Sequence, residues 1–139
     1  MVRILVIDDE PDVLLLCRVN LGHAGFEVLE AQDGEHGIAD AVAERPDAIV
    51  LDLMLPRIDG YEVLRTLRED ERTSLTPILV LSAKAQREDR RRCLEMGADE
   101  FITKPFSPEA LGEALQRLTE LDDEARAAGR TEALAQIED

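Results

Sequence analysis

Apolar positions along the chain fall into two alternating patterns. Short strand-like runs occupy residues 2–7 (broken only by Arg3), 47–51 and 77–81, with two more polar ones at 27–31 and 100–103. Between them, apolar residues recur every three or four positions: Val13, Leu16, Cys17 and Leu21; then Ile38, Ala41 and Val42; then Tyr61, Leu64 and Leu67; then Leu111, Ala114, Leu115 and Leu118, while the charged stretch over 86–96 is read as a further helix closed by Gly97. The runs read as strands buried on both faces, and the spaced sets as helices buried on one face. Five strands alternating strictly with five helices predict an α/β fold: a parallel sheet, right-handed crossovers and helices on both sides.

Glycine and proline punctuate the same pattern. Pro11 and Pro108 suit first helical positions, and Ser107 suits the N-cap before the second of these. Gly22 and Gly25 close the first helix, and Gln32-Asp33-Gly34 forms a turn. Pro46 stops the second helix, Pro56 and Asp59-Gly60 break the chain after the third strand, and Gly97 fits a left-handed cap. No internal repeat or low-complexity linker interrupts the chain before about residue 120.

Composition narrows the picture. A chain of 139 residues suggests one domain, and 45% apolar content is enough for a packed core. Only 3% is aromatic, so that core must be Leu, Val, Ile and Ala. The formal net charge of −15 repels nucleic-acid phosphates and anionic lipid, which argues against direct nucleic-acid binding by this chain and against a membrane role. Neither a signal peptide nor an apolar stretch of about 20 residues is expected, which places the chain in the cytoplasm. Cys17 and Cys93 have no metal spacing and read as buried thiols in a reducing compartment.

The chemistry gathers at the strand ends. The first strand ends in Asp8-Asp9, the third in Asp52, the fourth in Ser82 and the fifth in Lys104. In a parallel sheet these ends share one edge, the edge where open α/β sheets bind ligands. Converging carboxylates repel, and protonation or a hard cation relieves them. Mg²⁺ suits such an oxygen donor set. Lys104 and Ser82 add a positive charge and a hydroxyl donor, a pocket for a dianion such as a phosphoryl group. Asp52 could itself be the nucleophile, giving an acyl phosphate.

These residues carry a resemblance. Asp8-Asp9, Asp52-Leu53-Met54-Leu55-Pro56, Asp59-Gly60, Ser82, Gly97-Ala98-Asp99 and Lys104-Pro105-Phe106 agree in identity, order and spacing. Spread over five βα units and residues 2–120, they resemble the receiver domain of bacterial two-component response regulators. The resemblance implies a flavodoxin-like fold with strand order 2-1-3-4-5. It implies that Asp52 takes a phosphoryl group from a phosphohistidine on a sensor histidine kinase or phosphotransfer protein. Asp9 then matches a direct Mg²⁺ ligand (Mn²⁺ being possible), together with Asp52 and the backbone carbonyl of Met54, and Asp8 reaches the metal through water. Lys104 pairs with phosphoryl oxygens, Ser82 is the switch hydroxyl, and Phe101 is the aromatic whose rotamer follows it. Lys104-Pro105 matches a cis peptide bond. Small Ala83 leaves room for the phosphoryl group, while Met54 and Lys84 flank the line of attack. The switched surface is that of the fourth helix, fifth strand and fifth helix, read by a downstream effector protein. The family leaves a monomer and a phosphorylation-dependent dimer both open. The chain would then be no conventional enzyme, although it would catalyse its own phosphorylation and dephosphorylation.

Two other readings stand beside it. A haloacid-dehalogenase-type hydrolase also uses a strand-end Asp and Mg²⁺, but it places a second Asp two residues on, where this chain has Met54. A receiver-like interaction module acting without phosphorylation would not need the full residue set present here. Arg90-Arg91-Arg92 reads as a solvated face or a partner-contact patch, and His23 and His36 as exposed. Residues 1–121 are taken as the receiver unit. Residues 122–139 are an acidic, partly helical tail interrupted at Gly129, with a weak apolar face at Leu134 and Ile137. That tail could extend the fifth helix, dock on the body or a second subunit, or begin a linker.

Overall fold

The computed structural model describes residues 1–138. Five strands, β1 (Arg3–Ile7), β2 (Glu27–Ala31), β3 (Ala48–Leu51), β4 (Ile78–Ser82) and β5 (Glu100–Thr103), alternate with α1 (Pro11–His23), α2 (Gly34–Glu44), α3 (Gly60–Glu69), α4 (Arg87–Glu95) and α5 (Pro108–Glu120). A sixth helix, α6 (Asp123–Glu138), follows. The sheet is parallel throughout, in the order β2-β1-β3-β4-β5.

Strand position follows composition. The central strands are the uninterrupted runs Ile4–Ile7, Ala48–Leu51 and Ile78–Leu81, all of them buried. The edges fall to Glu-Val-Leu-Glu-Ala and Glu-Phe-Ile-Thr, whose polar residues tolerate solvent. Pro77 stays outside β4, since it has no N–H for the ladder, and Ser82 becomes its last residue.

Alternation along each strand splits the core into two layers. Leu5, Ile7, Ile49, Leu51, Ile78 and Val80 face α2, α3 and α4, where Ala41, Val63, Leu64, Leu67 and Cys93 meet them. Ile4, Val6, Val50, Leu79 and Leu81 face α1 and α5, where Leu14, Cys17, Leu21, Leu111 and Leu115 close the second layer. Ser107 caps its helix as expected, accepting the Ala110 N–H, and Asp33 and Asp59, read from sequence as turn residues, also act as caps by accepting the His36 and Glu62 N–H bonds.

A buried charge ties the far edge together. Arg68 of α3 donates to the carbonyls of Gly97 (3.0 Å), Ser74 (3.0 Å) and Thr76 (2.7 Å) and to Asp99 Oδ2 (3.0 Å). Asp99 also accepts from Ile78 N–H at 2.9 Å, so it is fully paired where removal of one partner would strand a charge.

The tail departs from the sequence reading in one respect. It docks on the body, one of the expected outcomes, but Gly129 does not interrupt it and α6 runs straight through. A mid-helix glycine costs about 1 kcal/mol, which contacts with α4 and the ion pairs of Arg126 and Arg130 offset. The arginine run is also less uniform than a solvated face. Arg92 lies 3.9 Å over the Tyr61 ring, and Arg91 is half-buried with its Nε lacking a partner among the described residues.

Both cysteines are free and buried, and burial pushes each thiol up to about 12. In the native chain at pH 8, a thiol reagent should therefore label neither. Two equivalents should appear only on unfolding in denaturant, counted by absorbance or mass.

Candidate functional site

Strand order reverses between β1 and β3, and a crevice opens beyond their carboxyl ends. Asp8 follows β1 and Asp52 follows β3, one on each side of that crevice. Both are buried, at 1% and 2% exposure. Their backbones are fixed by the sheet: Asp8 N–H donates to the Ala31 carbonyl and Asp52 N–H to the Ile7 carbonyl, each at 3.0 Å.

Lys104, arriving from β5, bridges them. Its Nζ donates to Asp8 Oδ2 (2.8 Å), Glu10 Oε1 (2.8 Å) and Asp52 Oδ2 (3.0 Å). Burial alone would lower the Lys104 ammonium, but these three bonds outweigh it and hold the group above the ordinary lysine value. Burial raises the Asp8 carboxyl, against the pull of Lys104 and the Glu10 N–H. The remaining acceptor atoms are turned inward by short loops: Asp8 Oδ1 accepts from Glu10 N–H (2.9 Å) and Asp52 Oδ1 from Met54 N–H (3.1 Å).

Ser82 is fully buried at the end of β4. Its Oγ accepts from Lys84 N–H (3.1 Å), and its carbonyl accepts from Lys104 N–H (3.1 Å), which ties the base of the lysine to the serine. The Lys104–Pro105 peptide is cis. Phe101 pairs with Val80 across the ladder and packs, half-buried, on the layer under α4. It lies one pleat from Ser82 on the same face.

The residues singled out from sequence do not all meet. Carboxylate oxygens of Asp8, Glu10 and Asp52 lie within 4.8 Å of one another, and Asp9 is not among them. Asp9 is exposed and lines an adjoining cleft of about 460 Å³ with Met54, Asp59, Tyr61 and Lys84. The Met54 side chain is 58% exposed there. Glu10 was visible only as the third acid of a row, and its reach to Lys104 depends on how α1 starts. A second cluster had no sequence signal: Tyr61 Oη donates to Asp89 Oδ1 at 2.6 Å, with Lys84 Nζ 3.8 Å from the same carboxylate. It joins residues 28 positions apart.

Gly60 lets α3 start against the site. A Cβ there would lie 2.3 Å from the Asp52 carbonyl oxygen and 2.4 Å from Leu53 Cα, both backbone.

The chain matches the response regulator receiver domain model over residues 4–116. It is 48% identical over 111 residues to the DNA-binding dual master transcriptional regulator RpaA of Synechocystis, covering 80% of this chain and 46% of that one. It is 47% identical over 106 residues to the alkaline phosphatase synthesis transcriptional regulatory protein PhoP of Bacillus subtilis, covering 76% and 43%. The chain thus spans about half the length of these curated relatives. Among solved structures, Vibrio cholerae chemotaxis protein CheY4 superposes with a TM-score of 0.80 at 33% identity, covering 85% of this chain and 98% of that one. The receiver domain of sensor histidine kinase PA1611 from Pseudomonas aeruginosa, with a magnesium ion coordinated in its active-site cleft, gives 0.79 at 34% identity, covering 86% and 98%. The chain belongs to the receiver domain family of two-component response regulators. No helix among the described residues is long and apolar enough to cross a membrane.

Two variants test the site's physics. Gly60→Ala should lower the unfolding free energy by about 3 kcal/mol in urea titration, since backbone must move. Asp52→Asn keeps an acceptor for Met54 N–H and removes one of three clustered carboxylates. In EDTA it should unfold at a higher urea concentration than wild type, by about 1 kcal/mol, a gain that added Mg²⁺ should shrink.

Proposed function

We propose that Asp52 is the phosphoacceptor of a signalling switch, loaded from a phosphohistidine on a partner kinase or phosphotransfer protein. The observation carrying this is the Lys104 ammonium seated between Asp52 and Asp8 at the sheet's crevice. A carboxylate oxygen of Asp52 attacks phosphorus, and the phosphorus–nitrogen bond of the donor breaks. The imidazole leaves with the electron pair and takes up a proton. Little covalent machinery is needed, because positioning and charge neutralisation supply most of the rate. Lys104 moves from carboxylate to phosphoryl oxygens, and Ser82, whose Oγ already accepts a bond, has its O–H free to donate to them.

The donor set fits a hard divalent cation. Three carboxylates and one ammonium give a formal charge of −3 + 1 = −2, and the clustered ligand atoms are all oxygen. Asp9, Asp52 and the Met54 carbonyl would hold Mg²⁺ or Mn²⁺ directly and Asp8 through water; Asp9 borders the same cleft as Met54. When bound, the ion neutralises charge on the phosphoryl oxygens.

The chain then acts on itself rather than turning over a substrate. We assign residues 1–121 to this receiver unit and 122–139 to an appended segment. Its output is a change in the face formed by α4, β5 and α5, biased through Ser82 and Phe101 and read by an effector protein. The free buried thiols favour the cytoplasm.

The test is intact mass after incubation with acetyl phosphate, with and without Mg²⁺. Wild type should gain one phosphoryl group only with Mg²⁺, and Asp52→Asn none. Lys104→Ala should be loaded slowly and lose phosphate-dependent partner binding. Absence of uptake from both acetyl phosphate and a phosphohistidine donor would overturn the assignment in favour of a phosphorylation-independent module.

A further inference from the structure

The face assigned above as the output surface is occupied. Helix α6 lies across α4 and the far edge of the sheet, and between it and α4, β5 and α5 is a cavity of about 540 Å³. The floor of that cavity includes Leu94, Phe101 and Leu118. Its roof is α6: the stripe Ala125, Gly129, Ala133 and Ile137, spaced four apart and therefore on a single helix face, flanked by Arg126 and Gln136. Three of those four residues are Ala or Gly, too small to fill the space beneath them. Within that stripe only Ile137 is large, and it is buried.

What holds α6 down is polar and sits at its margins. Arg130 pairs with Asp99. Arg126, 9% exposed, donates to the Leu75 carbonyl at 3.0 Å. Arg87, the first residue of α4, donates through Nε to the Ile137 carbonyl at 2.7 Å, closing the last turn of α6. Ion pairs and carbonyl caps beside an unfilled cavity, where Arg90, Glu100 and Arg117 stand among Leu94, Phe101 and Leu118, make a contact that is specific in register yet weak in burial. Segments held in this way belong to the low-stability end of a fold.

Two of these contacts meet the switch. Phe101 lines the cavity, so its rotation changes the surface under α6. Arg87 begins α4 immediately after the loop that leaves Ser82, so a shift of that loop moves the anchor of Ile137.

We propose that α6 is a releasable cover of the α4–β5–α5 face, docked in the unphosphorylated chain and freed when Asp52 is phosphorylated. The face beneath is a helix-binding groove. It fits a partner helix carrying bulky apolar residues at four-residue spacing, in place of Ala125, Gly129 and Ala133, with carboxylates toward Arg87 and Arg90. The inference rests on the phosphoacceptor reading above. The coupling is reciprocal at equilibrium: if phosphorylation releases α6, loosening α6 must favour the phosphorylated form by the same factor.

The test uses the full chain, reading intact mass for phosphoryl load and amide hydrogen exchange for α6. Loading with acetyl phosphate and Mg²⁺ should speed exchange across residues 124–137 about fivefold or more, while the strands stay protected. Arg130→Ala leaves Asp99 paired with Arg68 and Ile78 N–H, so the body keeps its fold. It should speed α6 exchange before loading and raise the phosphoryl load reached. Ala133→Leu, filling the cavity, should shift both readouts the other way. A loaded chain with unchanged α6 exchange would overturn the proposal. So would variants that shift exchange and leave the load unchanged. If no phosphoryl is taken up from any donor, the mass alone reports that the phosphoacceptor reading has failed, and the coupling falls with it.

Discussion

One ammonium group organises the functional edge of this protein. Lys104 satisfies Asp8, Glu10 and Asp52 at once and offsets the repulsion between those carboxylates. The arrangement is balanced rather than relaxed. Burial opposes the charges, while hydrogen bonds sustain them, and the excess stays negative. Such a site is primed for a cation and for a dianion that would draw Lys104 away. Stability and signalling chemistry therefore draw on the same contact.

The fold exists to hold that contact. Asp8 and Asp52 are presented by adjacent central strands whose runs Ile4–Ile7 and Ala48–Leu51 are buried, so their backbones have little freedom. Lys104 reaches them from the edge strand β5, anchored by its N–H to Ser82. Gly60 brings α3 against the Asp52 peptide. Around this rigid centre lie half-buried parts, Phe101 and α4. A packed core transmits small changes to such elements because it does not deform smoothly.

The acidic character of the chain makes its arginines conspicuous. Arg68 ties together the loops before β4 and before β5 through carbonyls and Asp99. Arg87, Arg126 and Arg130 fasten α6 in the same fashion, to carbonyls and a carboxylate. One chemistry, guanidinium to main-chain oxygen, thus serves both a permanent staple and a contact that we read as reversible. The difference lies in what the guanidinium joins: every acceptor of Arg68 belongs to the body, whereas the α6 contacts bridge the body to an appended helix beside a cavity.

Much of this was legible from sequence. Five alternating units, their caps and their two-sided strands followed from hydrophobic spacing, because a buried parallel strand and an amphipathic helix have different periods. Asp8, Asp52, Ser82 and Lys104 were legible because each ends a strand, and parallel strands share an edge. Strand order had to come from family resemblance, since spacing does not say which strands are neighbours. Glu10 on Lys104, Tyr61 on Asp89 and Arg130 on Asp99 were not legible at all. They join residues tens of positions apart, or depend on the first turn of a helix, and long side chains choose partners only after the backbone is placed. The tail shows the division clearly. Its composition allowed a helix, a linker or a docked segment, and only the tertiary structure, by offering Asp99 and the Leu75 carbonyl at the right spacing, decided where it lies.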